Sequence, residues 1–263
     1  IMPVHAAGNP VDMPRLMEIA ERYGLLVVED NCDGFGGKIG NKMVGSFGHL
    51  SCISTHAAHI VATGEGGVTF TNDEEIHERL IQLRDWGRCV VTPSKEEKRN
   101  MGIPEDFSAR YIYPRLGYNL KPLELQAAMG RSQLKRLDSF VERRKNNFNF
   151  IRSTLEKYPE YFEIIEPTPG TEPCWFTIPF LVNGFSREQF TQFLDSRNIE
   201  WRNILSSNIS RQPAYKNKVE VPLPLTNADD VMKRGLWLSV NPILTKEMLD
   251  YLDLYLELKY DQP

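Results

Sequence analysis

The chain has 263 residues, 41% of them apolar and 25% charged, with a net charge of −4 and a pI near 5.8. That length supports one large globular unit or two smaller ones, and the acidic balance gives no basic footprint for a phosphate backbone, so nucleic acid is not expected as a partner. No apolar run reaches the roughly 20 residues that cross a bilayer, and Ile1-Met2-Pro3-Val4-His5 lacks the regions of a signal peptide, so a cytoplasmic protein without membrane contact is expected.

Residues 1–5 read as a buried strand, and Asp12 is placed to cap a helix over 12–23 that Gly24 stops. Leu25 to Val28 predicts a second strand ending at Glu29-Asp30, and strand, helix, strand in that order implies a parallel sheet in an α/β layer. Short strands follow at Leu50 to Ser54 and Val68 to Thr71, then a helix from Asp73 to Trp86 capped by Asn72 or Asp73. Cys89 to Ile112 is polar and contains two prolines, which predicts a long loop. From Lys121 to about Tyr158, Leu134, Leu137, Val141, Phe148, Ile151 and Leu155 recur at helical steps and predict one continuous apolar stripe. Beyond Pro159 come strands at Phe162 to Ile165 and Phe176 to Val182, a helix from Arg187 to Arg197, and a last helix from Lys246 to Tyr260 with Thr245 as its cap. Cys32, Cys52, Cys89 and Cys174 are scattered without a CxxC, so reduced thiols are expected rather than a disulfide frame or a zinc ribbon.

Three local patterns carry chemistry: Glu29-Asp30-Asn31-Cys32-Asp33, then Ser54-Thr55-His56-Ala57-Ala58-His59 running into Gly64-Glu65-Gly66-Gly67, then Gly117-Tyr118-Asn119. Singly each is ordinary, because an acidic strand end is usually a solvated loop and a glycine cluster a turn. Ligands of open α/β sheets nevertheless collect at the carboxyl ends of strands, where Asp30 falls.

The order of these patterns resembles the DegT/StrS family of nucleotide-sugar aminotransferases and dehydratases. Pro3-Val4-His5, Gly8-Asn9-Pro10, Val44-Gly45-Ser46-Phe47-Gly48, Arg84-Asp85-Trp86-Gly87 and Leu134-Lys135-Arg136-Leu137 extend the likeness along almost the whole chain. The resemblance implies an α/β fold of the fold type I, pyridoxal-phosphate-dependent aminotransferase kind. Residues 1–158 would be the C-terminal part of a large, mainly parallel cofactor domain with its long connecting helix, and 159–263 a smaller C-terminal α+β domain. Family chains begin well upstream, so a segment carrying part of the cofactor and substrate pocket is expected before residue 1.

The same resemblance implies site roles. Asp30 matches the carboxylate that keeps the pyridine nitrogen of the cofactor protonated, so that the ring accepts electrons. Asp33 matches a second position beside the ring, Ser54 the phosphate-binding serine, and Asn119 an asparagine that reaches the phosphate of the neighbouring subunit's cofactor, which makes a homodimer with shared sites the expected assembly. Position 59 decides the reaction: aminotransferases of the family carry Lys there and form an imine with the cofactor, which an imidazole cannot do. His59 resembles the sugar 3-dehydratases, which hold pyridoxamine phosphate noncovalently, and an imidazole with an ordinary pKa near 6.5 suits proton transfer at cytoplasmic pH.

The implied activity is a lyase-type removal of the C3 hydroxyl from a 4-keto-6-deoxy nucleotide sugar in deoxysugar or lipopolysaccharide biosynthesis. Asn208, in a loop similar to one in the histidine-bearing dehydratases, together with Arg202 and Arg211, would meet the nucleotide diphosphate; the plainer reading of the two arginines is solvated surface charge. Cys32 and Cys89 lie where one dehydratase type has cysteines of a two-iron, two-sulfur cluster, but the remaining ligands are absent from Val90 to Ile112, so no cluster is expected. His56 and Ala57 stand where the family usually has an aromatic residue and a proline. An aminotransferase, or a catalytically silent structural subunit, are the competing expectations.

Overall fold

A computed structural model describes residues 1–216 and 218–260. Helix α1 (Met13–Tyr23) begins where Asp12 accepts from the Arg15 amide at 3.2 Å and ends at Gly24 in the left-handed conformation, as its flanking residues predict. Strand β1 (Val28–Asp30) follows. A two-residue hairpin, β2 (Lys38–Ile39) and β3 (Lys42–Met43), leads to β4 (Leu50–Ser54) and β5 (Gly67–Thr71). Then come α2 (Glu74–Arg84), α3 (Lys95–Asn100), α4 (Glu124–Leu134) and α5 (Leu137–Leu155). The chain continues with β6 (Phe162–Ile164), β7 (Thr171–Glu172), β8 (Thr177–Val182), α6 (Arg187–Ser196) and β9 (Trp201–Arg202). Helix α7 (Thr226–Arg234), β10 (Gly235–Ser239) and α8 (Lys246–Tyr260) complete it.

Strands β1, β4 and β5 form a mixed sheet in that order, β1 and β4 parallel, β4 and β5 antiparallel. The first residues run parallel along β1, with Val4 bridged to Asp30, the Val28 and Asp30 amides donating to the Ile1 and Pro3 carbonyls and the His5 amide to the Asp30 carbonyl. Of the expected buried strand only Pro3 and His5 are buried, while Ile1, Met2 and Val4 are exposed. Leu25 and Leu26 are also exposed and precede the strand rather than build it.

The second sheet, β6-β8-β10-β9, is antiparallel and carries the main core. All six residues of β8 are buried, and Phe190, Leu194, Leu236 and Leu256 join Ile178, Phe180 and Val182 of β8 and Phe148, Ile151 and Leu155 of α5 in one core. The predicted long helix is broken at Lys135-Arg136: Leu134 is half exposed at the end of α4, and the buried stripe starts only farther along α5. The predicted loop at 89–112 contains α3, whose Ser94 and Glu97 form a capping box. Among the described residues, no helix is long and apolar enough to cross a membrane.

Candidate active site

Asp30 ends β1 and Ser54 ends the neighbouring parallel strand β4, with Asp30 opposite Cys52 in the register. Both are half-buried at strand carboxyl ends. Asp30 accepts from the Cys32 amide at 3.2 Å, and the Ser54 hydroxyl accepts from the His56 amide at 3.2 Å.

Past Ser54 the chain makes a tight loop. Thr55 donates its amide to Gly66 and receives that of Thr63, Ala57 donates to Gly64, and the Thr63 hydroxyl reaches that of Thr55 at 2.7 Å. Gly66 has φ near +138°, and a Cβ there would lie 2.8 Å from the Thr55 hydroxyl, so this turn requires glycine.

The loop delivers His59 back over the end of β1. Its Nδ1 lies 3.0 Å from the Cys32 carbonyl and 3.6 Å from Asp33 Oδ1. A carbonyl only accepts, so this contact requires the proton on Nδ1 and leaves the Nε2 lone pair basic. The ring stacks on Phe176 at 5.2 Å between centroids, 19° from parallel. Phe176 is in turn fixed: it donates its amide to the Ala7 carbonyl, its own carbonyl accepts from Arg144 at 3.0 Å, and the Arg144 guanidinium lies over its ring. His56 sits on the open side, its ring edge-on to His59 at 6.1 Å and its Nε2 3.8 Å from Glu65.

Asp33 is buried, and its Oδ2 accepts from the Ala7 amide at 3.1 Å. Burial pushes its carboxyl up from the ordinary value, against the Ala7 hydrogen bond and the nearby His59 charge. The same environment pushes the Cys32 thiol to about 12, first through burial and then through Asp30 and Asp33, which keeps it neutral.

Under this floor lies a fully buried pair that the sequence did not single out. Glu29 takes the amides of Gly45 at 2.8 Å, Phe47 at 2.7 Å and Gly48 at 2.5 Å, and His5 Nε2 lies 3.2 Å away. Burial alone would raise the Glu29 carboxyl, but the hydrogen bonds from His5, Gly48, Gly45 and Phe47 outweigh it and hold the group below its usual range. Because His5 Nδ1 accepts from the Val11 amide, its proton sits on Nε2 and faces the carboxylate. Glu29 and His5 each stand in a motif of the sequence and Phe176 starts a predicted strand, but their pairing and their roles were not legible there because each partner is distant in the chain.

The structure therefore brings Asp30, Asp33, Ser54 and His59 together. Asn119 stands apart, exposed, bridged to Asp85 and accepting from Lys121 at 2.7 Å. Asn208 and Arg211 meet on one carboxylate: Arg211 makes a two-point contact with Asp229 at 2.9 and 2.6 Å, and buried Asn208 donates to it at 2.6 Å. Arg202 is exposed and paired with Glu200 instead. Among the described residues, no hydrogen bond or ion pair links these four side chains to the His59 group.

A basic imidazole nitrogen, a carboxylate and a hydroxyl at adjacent strand ends form a donor set for proton transfer beside an anionic ligand. Two curated proteins are similar over 95% of the chain. One is the lipopolysaccharide biosynthesis protein RfbH of Salmonella typhimurium, 37% identical, and the other the dTDP-4-dehydro-2,6-dideoxy-D-glucose 3-dehydratase of Saccharopolyspora spinosa, 36% identical. The chain spans 60% and 57% of their lengths. The solved structure of E. coli GDP-4-keto-6-deoxy-D-mannose-3-dehydratase with bound hydrated PLP superposes with a TM-score of 0.83 at 29% identity, covering 97% of this chain and 66% of that one. The architecture is thus the α/β fold of the pyridoxal-phosphate-dependent aminotransferases. With residues 1–253 matching its model, the chain belongs to the DegT/DnrJ/EryC1/StrS aminotransferase family.

Proposed function

We propose that the protein is a nucleotide-sugar 3-dehydratase that removes the C3 hydroxyl of a 4-keto-6-deoxy sugar, with pyridoxamine or pyridoxal phosphate as cofactor and His59 as the base. The observation that carries this reading is the imidazole at position 59, held between the Cys32 carbonyl and the Phe176 ring with Nε2 free to take a proton. The names of two relatives support it, since 3-dehydratases occur at 36% and 29% identity, while a transaminase from Shigella dysenteriae stands at 30%.

The donor set fits the cofactor: Asp30 would face its ring nitrogen and Ser54 would donate to its phosphate, both from strand ends. Bound there, the cofactor would supply the amine that joins the substrate ketone and the ring that takes up electrons when a proton is withdrawn. The chain's own part is to hold His59 rigid and to take the proton on Nε2, a contribution on the order of 10² to 10⁴ in rate. Asn208 and Arg211 would form the nucleotide-facing wall, with Arg202 a further cation near the diphosphate. Asn119 would complete the site of a second copy, making the homodimer part of the mechanism. Biosynthesis of deoxysugars for lipopolysaccharide, in the cytoplasm, is the setting this reading implies.

The test uses the full-length protein with pyridoxamine phosphate, glutamate and CDP-, dTDP- or GDP-linked 4-keto-6-deoxy sugars. Loss of one oxygen atom from a substrate, seen by mass, is expected as hydrogen takes the place of the C3 hydroxyl and glutamate, the reductant, is converted to 2-oxoglutarate, together with no cofactor retained covalently after borohydride. A borohydride-trapped adduct would establish an aminotransferase instead, and absence of cofactor binding a silent subunit.

A further inference from the structure

We propose that Asp33 is a positioning residue for His59 rather than a contact of the cofactor ring. This rests on the reading of His59 as the base, and it departs from the place the family resemblance implies for this side chain. Asp33 follows Cys32, whose carbonyl accepts from His59 Nδ1, so one short segment presents two oxygens to the same ring nitrogen. The carboxylate is buried and turned inward: Oδ2 takes the Ala7 amide at 3.1 Å, which fixes the side-chain torsion, and Oδ1 faces Nδ1 at 3.6 Å. The other charged groups near it are Asp30 and Arg144.

At 3.6 Å the carboxylate is a Coulombic neighbour, while the carbonyl at 3.0 Å is the hydrogen-bond acceptor. The two have different jobs. The carbonyl selects the Nδ1–H tautomer, and the carboxylate favours the imidazolium that forms when Nε2 gains a proton, as the carboxylate behind the imidazole does in hydrolytic triads. Phe176 stacked on one face prevents the ring from turning away from both.

The experiment reads the ring nitrogens of His59 by long-range ¹⁵N–¹H NMR in the full-length protein, beside kcat and the dissociation constant of pyridoxamine phosphate. Wild type is expected to show a protonated Nδ1 and an unprotonated Nε2 above the imidazole titration. Asp33→Asn, nearly the same shape, is expected to keep that tautomer, to bind pyridoxamine phosphate within about twofold of wild type, and to lose on the order of 10- to 100-fold in kcat, the range that orienting partners carry at metal-bound imidazoles. Asp33→Leu is expected to keep the tautomer too, since the Cys32 carbonyl remains, and to lose at least as much in kcat. A wild-type proton on Nε2, or a tenfold weaker cofactor affinity in Asp33→Asn with kcat at saturation unchanged, would overturn the proposal. A wild-type protein with the stated tautomer that dehydrates none of the sugars would sink the proposed function and leave the positioning role standing.

Discussion

On the proposed reading an imidazole stands where an amine would tether the cofactor, which makes residue 59 the most informative single position. His59→Asn keeps a polar planar group but removes the base, so dehydration is expected to fall by about 10² to 10⁴ while pyridoxamine phosphate still binds. His59→Lys restores an amine, and borohydride should then fix the cofactor to the chain, visible as a mass increase on the peptide that holds residue 59. An unmodified peptide in that variant would mean that the side chain does not face the cofactor. Glu29 is the other residue with a sharp expectation. Its folded carboxyl lies below the ordinary value of 4.5, so the stability it contributes is fully present above that value and is lost as pH falls through the lower folded one. In Glu29→Gln an amide faces backbone donors, and a loss of about 3 kcal/mol at neutral pH is expected in urea unfolding, with a flatter stability profile below pH 4.5. An unchanged acid limb would show that other carboxylates dominate acid unfolding.

At the scale of elements, Leu155 at the end of α5 is fully buried in the core formed with β8, α6 and α8. Leu155→Ala should cost about 3 kcal/mol by the usual penalty for an unfilled cavity, measured as a lower denaturant midpoint at constant slope. Elements with end signals were legible from sequence: Asp12 and Gly24 bound α1, and Thr245 accepts the Met248 amide at the start of α8. The break between α4 and α5 was not, because Leu134 and Leu137 keep helical spacing across it and only tertiary packing decides which of them is covered. Strand β10 was missed for a related reason: Leu236, Trp237 and Leu238 are consecutive and all buried, so no alternation marks a strand. Of the site, the strand-end residues Asp30 and Ser54 were legible because position in an α/β sheet follows from element order. The stacking of Phe176 on His59 was not, since it depends on how β8 meets the first sheet.

At the scale of the whole molecule, the placement of Asn119 bears on how many chains make a site. Gly87 and Gly117 pack back to back, a Cβ on Gly87 would fall 1.9 Å from the Arg115 carbonyl, and the amides of Trp86, Tyr118 and Leu120 tie the two segments together. Asn119 is thereby held rigidly on an outward face, flanked by exposed Tyr113, Leu116, Tyr118, Leu120, Leu123 and Leu125, with Leu116 95% exposed. So much apolar side chain in water around one fixed polar group favours burial against a second protein surface, and a second copy would receive Asn119 in its own site. If so, His59→Asn and Asn119→Ala chains, each impaired alone, should complement when mixed through unfolding and refolding or co-expressed. The heterodimer then has one site with both groups intact, and random pairing restores about one quarter of wild-type activity. Were Asn119 to serve the site of its own chain, no heterodimer site would be whole, and the mixture would be no more active than the average of its two parents.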